Sequence, residues 1–231
     1  MFWHEDKNPD EVQIPDDIVD LLFTIDCKSI PVDHAHLLST ALQAALSWLA
    51  TESQIGLHTI HVAGSQNGWQ RPAHGGETEL LLSRRTKLII RAPKWRVADL
   101  LQQLPGVTLD LAGHALTIGA GKIKLLTKDA TLFSRYVVTG NTTADNADEQ
   151  EFLATAAGSL AAMGIHIRKA LCGKATALAT PQGLLHTRSL LLAALTAEES
   201  IQLQQHGLGT HRLLGCGIFI PHKGIDSVKN G

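Results

Sequence analysis

Twice along the chain the residues run in the order strand, helix, strand, strand, helix, strand, and that doubling narrows the possible folds more than any other feature. In the first run, Val19, Leu21 and Phe23 alternate with Asp20, Leu22 and Thr24, the pattern of a strand buried on one face. Leu38, Leu42, Ala45 and Leu49 then recur at helical spacing over 36–49, with Asp33 as the expected N-cap. Residues 56–63 read as a short strand, 64–76 as a loop rich in Gly, Asn, Gln and Pro, and 79–92 as one long strand with a basic centre. Pro93 starts a helix that Gly106 ends, and 107–118 form a hairpin turning at Gly113. In the second run, 132–139 is a strand and 145–163 a helix with acidic residues in its first turn. Two strands, 165–179 and 184–195, meet at Pro181–Gly183. Thr196 and Glu199 form a capping box for a short helix, and 212–221 is the closing strand. The pattern predicts an α+β protein of tandem ferredoxin-like (RRM-like) domains, each β-α-β-β-α-β. Residues 1–14 read as an acidic extension, 15–126 as the first domain and 127–231 as the second, which carries a glycine-rich loop.

A net charge of −2 looks wrong for a partner of polyanions until its distribution is considered. The first 33 residues hold nine acidic and two basic residues, leaving 13 acidic and 18 basic beyond them, a net of +5. Local field matters more to a polyanion than the total. Cys27, Cys172 and Cys216 are odd in number and widely spaced, so a disulfide framework or Cys-rich zinc site is not expected and a reducing cytoplasm is. No signal segment opens the chain and no uncharged run is long enough to span a bilayer, so a membrane is not an expected partner.

The stretch G-L-G-T-H-R-L-L-G-C-G-I-F-I-P, residues 207–221, carries most information about chemistry. Gly207, Gly209, Gly215 and Gly217 could let a loop present backbone N–H groups to a phosphate, with Arg212 as a planar fork beside them. On spacing alone, a helix C-cap followed by a strand bulge explains the glycines equally well. Neither a dinucleotide fingerprint nor a P-loop is present.

The pattern L-x-x-H-G-L-G-x-x-R-x-x-G-C-G-x-F-x-P at 203–221 resembles the RAMP superfamily and, within it, the repeat-processing endoribonucleases of CRISPR systems, the "Cas six" family. D-L-x-F-x-I at 20–25 and I-P-x-D-H-x-H-x-L at 30–38 resemble the first strand and first helix of that family's smaller bacterial members. The resemblance implies a metal-independent endoribonuclease without cofactors. It would cut precursor CRISPR RNA within the repeat by 2′-hydroxyl attack, leaving a 2′,3′-cyclic phosphate. Its partners would be repeat RNA, as precursor and mature product, and other Cas effector subunits. Two alternatives stay open: a non-catalytic RAMP-type subunit that holds CRISPR RNA, and an unrelated tandem ferredoxin-like enzyme acting on a small ligand.

Of twelve histidines, His34 ranks first as catalytic, because the resemblance puts the family's histidine at the start of the first helix; His36 and His58 follow. His61, His74, His114, His166, His186, His206, His211 and His222 read as loop or surface residues, and His4 as part of the extension. Metal ligation by D-H-A-H or by H-T-I-H at 58–61 is the competing view; in a strand, His58 and His61 would point to opposite faces. The candidate RNA-binding set is Arg84, Arg85, Lys87, Arg91, Arg135, Arg168, Lys169, Lys174, Arg188 and Arg212. Within it, Arg85, Lys87 and Arg91 are expected to share one strand face.

Overall fold

The computed structural model describes residues 12–61, 79–139 and 149–222. Most of the expected acidic extension, the 64–76 loop, the first residues of the helix expected from 145, His4 and His74 lie outside them.

The first half begins with β1 (Ile18–Asp26), β2 (Ser29–Pro31), α1 (Ala35–Ala45), β3 (Gly56–Leu57) and β4 (Glu79–Leu81). It continues through β5 (Lys87–Pro93), α2 (Lys94–Gln103), β6 (Thr108–Leu111) and β7 (His114–Lys124). Its sheet runs β3-β5-β1-β7-β6, all antiparallel, and β2 pairs with β4 apart from it. Without the added edge strand β6, this is the ferredoxin-like arrangement, with the first strand central. The second half contains β8 (Leu132–Val137), α3 (Glu149–Ala162), β9 (Lys169–Thr180), β10 (Gly183–Ala193), α4 (Ala197–His206) and β11 (Ile220–Pro221). Its order, β11-β8-β10-β9, is the same arrangement again. The fold is therefore a tandem of ferredoxin-like units.

The alternation in β1 does what it implies. Leu21 and Phe23 are fully buried, register against Ile90 and Leu88 of β5, and pack with Leu38, Leu42 and Leu100 beneath the sheet. A second core of Leu132, Phe152, Leu160, Leu190, Leu203 and Phe219 fills the other half. The capping box of α4 forms as expected: Glu199 N donates to Thr196 Oγ1 at 3.2 Å and Thr196 N to Glu199 Oε2 at 2.8 Å.

Three local expectations need correction. The cap position of α1 is His34, not Asp33, and no side chain caps it. The expected long strand 79–92 breaks into β4 and β5 around a turn, because the Thr86 amide donates to Ser83 O at 2.9 Å and Thr86 Oγ1 accepts from the Ser83 amide at 3.1 Å. The closing strand shrinks to Ile220–Pro221. His211, Gly215 and Gly217 adopt positive φ (64°, 81° and 68°), which an extended chain does not allow, and Arg212–Leu214 coil into a 3₁₀ turn.

Candidate active site

The glycine-rich loop forms the seam between the halves. Gly207 terminates α4 with φ 69° and its amide bonds Leu203 O. A side chain on Gly217 would strike Leu208 O, and one on Gly209 would strike Val138 O. Gly215 faces the first half: a Cβ there would lie 2.7 Å from Thr59 Cγ2 and 3.2 Å from Leu57 O. The amides of Leu208, Leu214, Gly215, Cys216 and Gly217 all bond to carbonyls within the second half. The glycines are thus required by close backbone packing, and these five amides are not a phosphate cradle. Arg212 is also occupied, donating through Nη1 to His206 O and through Nη2 to Gln205 O at 3.3 Å, at the carbonyl end of α4. It serves as a helix cap and not as the open phosphate fork expected.

Beneath the seam, Arg91 is fully buried and grips Asp20 with two bonds, Nε to Oδ1 at 2.8 Å and Nη2 to Oδ2 at 3.0 Å. Its Nη1 reaches into the other half, donating to Gln204 O at 2.8 Å and Phe219 O at 2.9 Å. Burial alone would raise the Asp20 carboxyl, but Arg91 and His58 hold it far below the usual carboxylate range. Arg91 therefore latches the two halves together and is withdrawn from the RNA-binding set. Arg85 does not share the expected strand face with Lys87 and Arg91, because the turn at 83–86 separates it from the strand that carries them.

The three ranked histidines fare differently. His34 is buried, and its Nε2 accepts the Ile60 N–H at 2.9 Å. Nδ1 must then carry the proton, and it lies 3.0 Å from Pro31 O and 3.1 Å from Val32 O. Burial pushes the ring below the ordinary imidazole range against the pull of those carbonyls. With both nitrogens engaged, His34 staples the start of α1 to the segment after β3, and the geometry leaves it no hand for proton transfer. His58 Nε2 stands 3.4 Å from Asp20 Oδ1, within ion-pair reach but off hydrogen-bonding geometry, with its side chain 12% exposed. Burial lowers its pKa, opposed by Asp20. His36, in the first turn of α1, is partly exposed and lies 3.4 Å from the Thr40 hydroxyl.

A small cleft, partly open to solvent, lies where the halves meet; His58, His61, Phe133, Arg135, Gly215 and His222 line it, among others. β3 ends at Leu57, so the pleat that would set His58 and His61 on opposite faces does not extend to them, and both reach the same cleft. His61 Nε2 is 2.7 Å from Thr59 Oγ1. Burial first, and then the Arg135 charge beside it, bring its pKa down to about 3, so the ring is neutral at pH 7. Phe133 and Arg135 share a face of β8, and the Phe133 ring centroid is 5.6 Å from that of His222, tilted by 52°. Sequence reasoning named Arg135 but set His61 and His222 aside. The G-L-H-T-I-H spacing was the signal for His61, and the strand assignment hid it.

Of the remaining cations, Arg84 and Arg85 are exposed in the turn before β5, and Lys87 is half-buried at its start. Arg168 pairs with Glu199 at 2.6 Å and bonds His166 O and Ala194 O at 3.2 Å each, tying the start of α4 to the strand beside it. That pairing, against the penalty of burial, brings the Glu199 pKa down to about 2. Lys169 is exposed at the start of β9, on which Lys174 also lies, and Arg188 on β10 donates to Gly173 O at 3.2 Å. Among the described residues, no three His, Cys, Asp or Glu side chains gather as a metal site, and no helix is long and apolar enough to cross a membrane.

Paired ferredoxin-like units, joined by a glycine seam over an imidazole–guanidinium cleft, define the class: tandem ferredoxin-like proteins with a site between their halves. A family model described as "Cas6 Crispr" matches residues 19–224. A "CRISPR-associated endonuclease Cas6" of Myxococcus xanthus (strain DK1622) is 32% identical over 203 residues, covering 88% of this chain and 81% of that protein. Among solved structures, a "CRISPR associated protein Cas6" aligns with TM-score 0.59 at 10% identity, over 89% of this chain and 100% of its own. A Cas6-related protein of Pyrococcus furiosus aligns with TM-score 0.56 at 13% identity, over 91% and 99%. The chain belongs to the Cas6 family of CRISPR-associated proteins.

Proposed function

We propose that this protein cuts precursor CRISPR RNA within its repeat, with the RNA's own 2′-hydroxyl as nucleophile and no metal ion. The 2′-oxygen bonds to the adjacent phosphorus and the bond from phosphorus to the 5′-oxygen breaks, leaving a 2′,3′-cyclic phosphate and a 5′-hydroxyl. The carrying observation is that His61, Arg135 and His222, drawn from both halves, line one cleft. An RNA phosphate seated beside Arg135 offsets the charge that helps to lower the His61 pKa and makes the ring more basic, so that it accepts the 2′-hydroxyl proton, with Thr59 orienting it. Arg135 stabilises charge on the five-coordinate phosphorus. His222, exposed at the rim, supplies the proton that the departing 5′-oxygen takes up. These side chains provide base, acid and counter-charge, so the reaction needs nothing from a divalent cation. Exposed Arg84, Arg85 and Lys169 add sequence-independent attraction to phosphates, and the processed RNA would pass to other Cas subunits.

Hairpin repeat RNA incubated with the protein in EDTA tests this directly. Cutting at one position is expected, with His61→Ala and Arg135→Ala each slowing it by on the order of 10²–10⁴. If His36→Ala has that effect while His61→Ala does not, the proton-transferring histidine lies in the first turn of α1, close to the position that the resemblance implies. Tight, salt-sensitive binding with no cutting makes the chain a holding subunit instead.

A further inference from the structure

A second, roomier cleft opens at the seam and shares no lining residue with the His61–Arg135 cleft. Both halves build it. Asp17 comes from the start of β1, Ser53 and Gln54 from the segment before β3, and Trp95 from the first turn of α2, while Gln205 and Arg212 come from α4 and the loop after it. Trp95 is 60% exposed, yet its ring is held in place. Its indole N–H donates to Glu52 Oε2 at 3.2 Å, and the same oxygen accepts Arg96 Nε at 3.2 Å. Arg96 in turn stacks 4.4 Å over the Trp48 ring and bonds Asp99 at 3.1 Å. An exposed tryptophan whose orientation is fixed by a network loses little entropy on taking a partner, which makes it a stacking surface.

The rest of the lining suits a neutral, polar, flat ligand. Gln54 and Gln205 bring amides that both donate and accept. Gln205 Nε2 donates to Asp17 Oδ1 at 2.9 Å across the seam, which steadies the amide. The Arg212 guanidinium spends both terminal nitrogens on α4 carbonyls, while its buried Nε has no partner. The Asp17 carboxylate disfavours a phosphate here. A nucleobase satisfies all of these features: a ring face for the indole, and edge donors and acceptors for the amides.

We infer that this second cleft seats one unpaired base of the repeat RNA, stacked on Trp95 and read at its edge by Gln54 and Gln205. The inference rests on the RNA-cutting function proposed above, and it adds a contact for affinity and sequence choice remote from the chemistry.

The test uses the full chain, Trp95→Ala, Trp95→Phe and a set of repeat RNAs, each with a single abasic nucleotide. Trp95→Ala should weaken binding of intact repeat RNA by about tenfold, with Trp95→Phe keeping most of the affinity. The single-turnover rate at saturating RNA should stay within about twofold. One abasic position, outside the cut site, should weaken binding to the native protein by a similar factor and cost the alanine variant nothing more. Unchanged affinity in Trp95→Ala, or an abasic penalty of the same size in both proteins at every position, overturns the inference and leaves the RNA-cutting function standing. Failure of the native chain to bind or cut repeat RNA removes that function, and the base seat with it.

Discussion

At the scale of single residues, the seam is a place where imidazoles are kept neutral. His34 and His61 both titrate below the ordinary range because burial disfavours their charged forms, and Arg135 adds to the effect at His61. The sign of the pH dependence follows. Below pH about 6.5 the unfolded chain takes up protons on these rings and the folded chain does not, so stability falls as pH falls. For His61 the loss runs at about 1.4 kcal/mol per pH unit from about pH 6.5 down toward its pKa of about 3, and His34 acts in the same direction. Urea denaturation at pH 7 and pH 5 should show the loss, and His34→Ala should show a shallower slope. That variant should also be less stable at pH 7 by about 1–3 kcal/mol, because the Ile60 N–H loses its acceptor. An unchanged stability would mean that the staple does not exist. The motif D-H at 33–34 drew the expected site to the start of α1, where the structure gives His34 a structural role. It could not separate a catalytic ring from a structural one, because burial of His34 depends on the 58–61 segment, 26 residues away. Arg91 was misread for a kindred reason: its partner Asp20 lies 71 residues distant.

At the scale of elements, the glycine loop is a packing device first. Gly209 and Gly217 combine positive φ with carbonyls where a Cβ would sit, so Gly217→Ala should cost roughly 2 kcal/mol or more in thermal or chemical unfolding. Gly158 is the counterexample within the same chain. It lies in the interior of α3 with open space around it, and Gly158→Ala should stabilise by about 0.5–1 kcal/mol. A Tm that falls in Gly158→Ala would show that α3 is packed otherwise. Element order, the α4 capping box and the Gly113 hairpin were legible because each rests on contacts within a few residues. The break between β4 and β5 and the coiling of 212–219 were not. Side-chain-to-backbone bonds at Ser83 and Thr86, and positive φ at His211, override an apolar pattern that by itself reads as strand.

At the scale of the whole molecule, two units of one topology are held together by close packing of the glycine loop and by a buried ion pair that sends an arm across the seam. Arg91→Ala would strand the Asp20 carboxylate in the interior and free two carbonyls of the second half, at an expected loss of about 3–5 kcal/mol in chemical unfolding. If Arg91→Ala unfolds like the native chain, the latch carries no weight. The doubling of the ferredoxin-like unit could be read from periodicity alone, whereas the cleft between the units could not, because its lining is drawn from both. His61 and His222 lie one on each unit and meet only in the cleft between them. The most direct measurement of the central claim replaces the 2′-hydroxyl at the scissile nucleotide with hydrogen in an otherwise native repeat RNA. Binding should be retained and cleavage abolished, while the unmodified RNA is cut in EDTA to a 2′,3′-cyclic end; cleavage of the 2′-deoxy RNA at the native rate would contradict it.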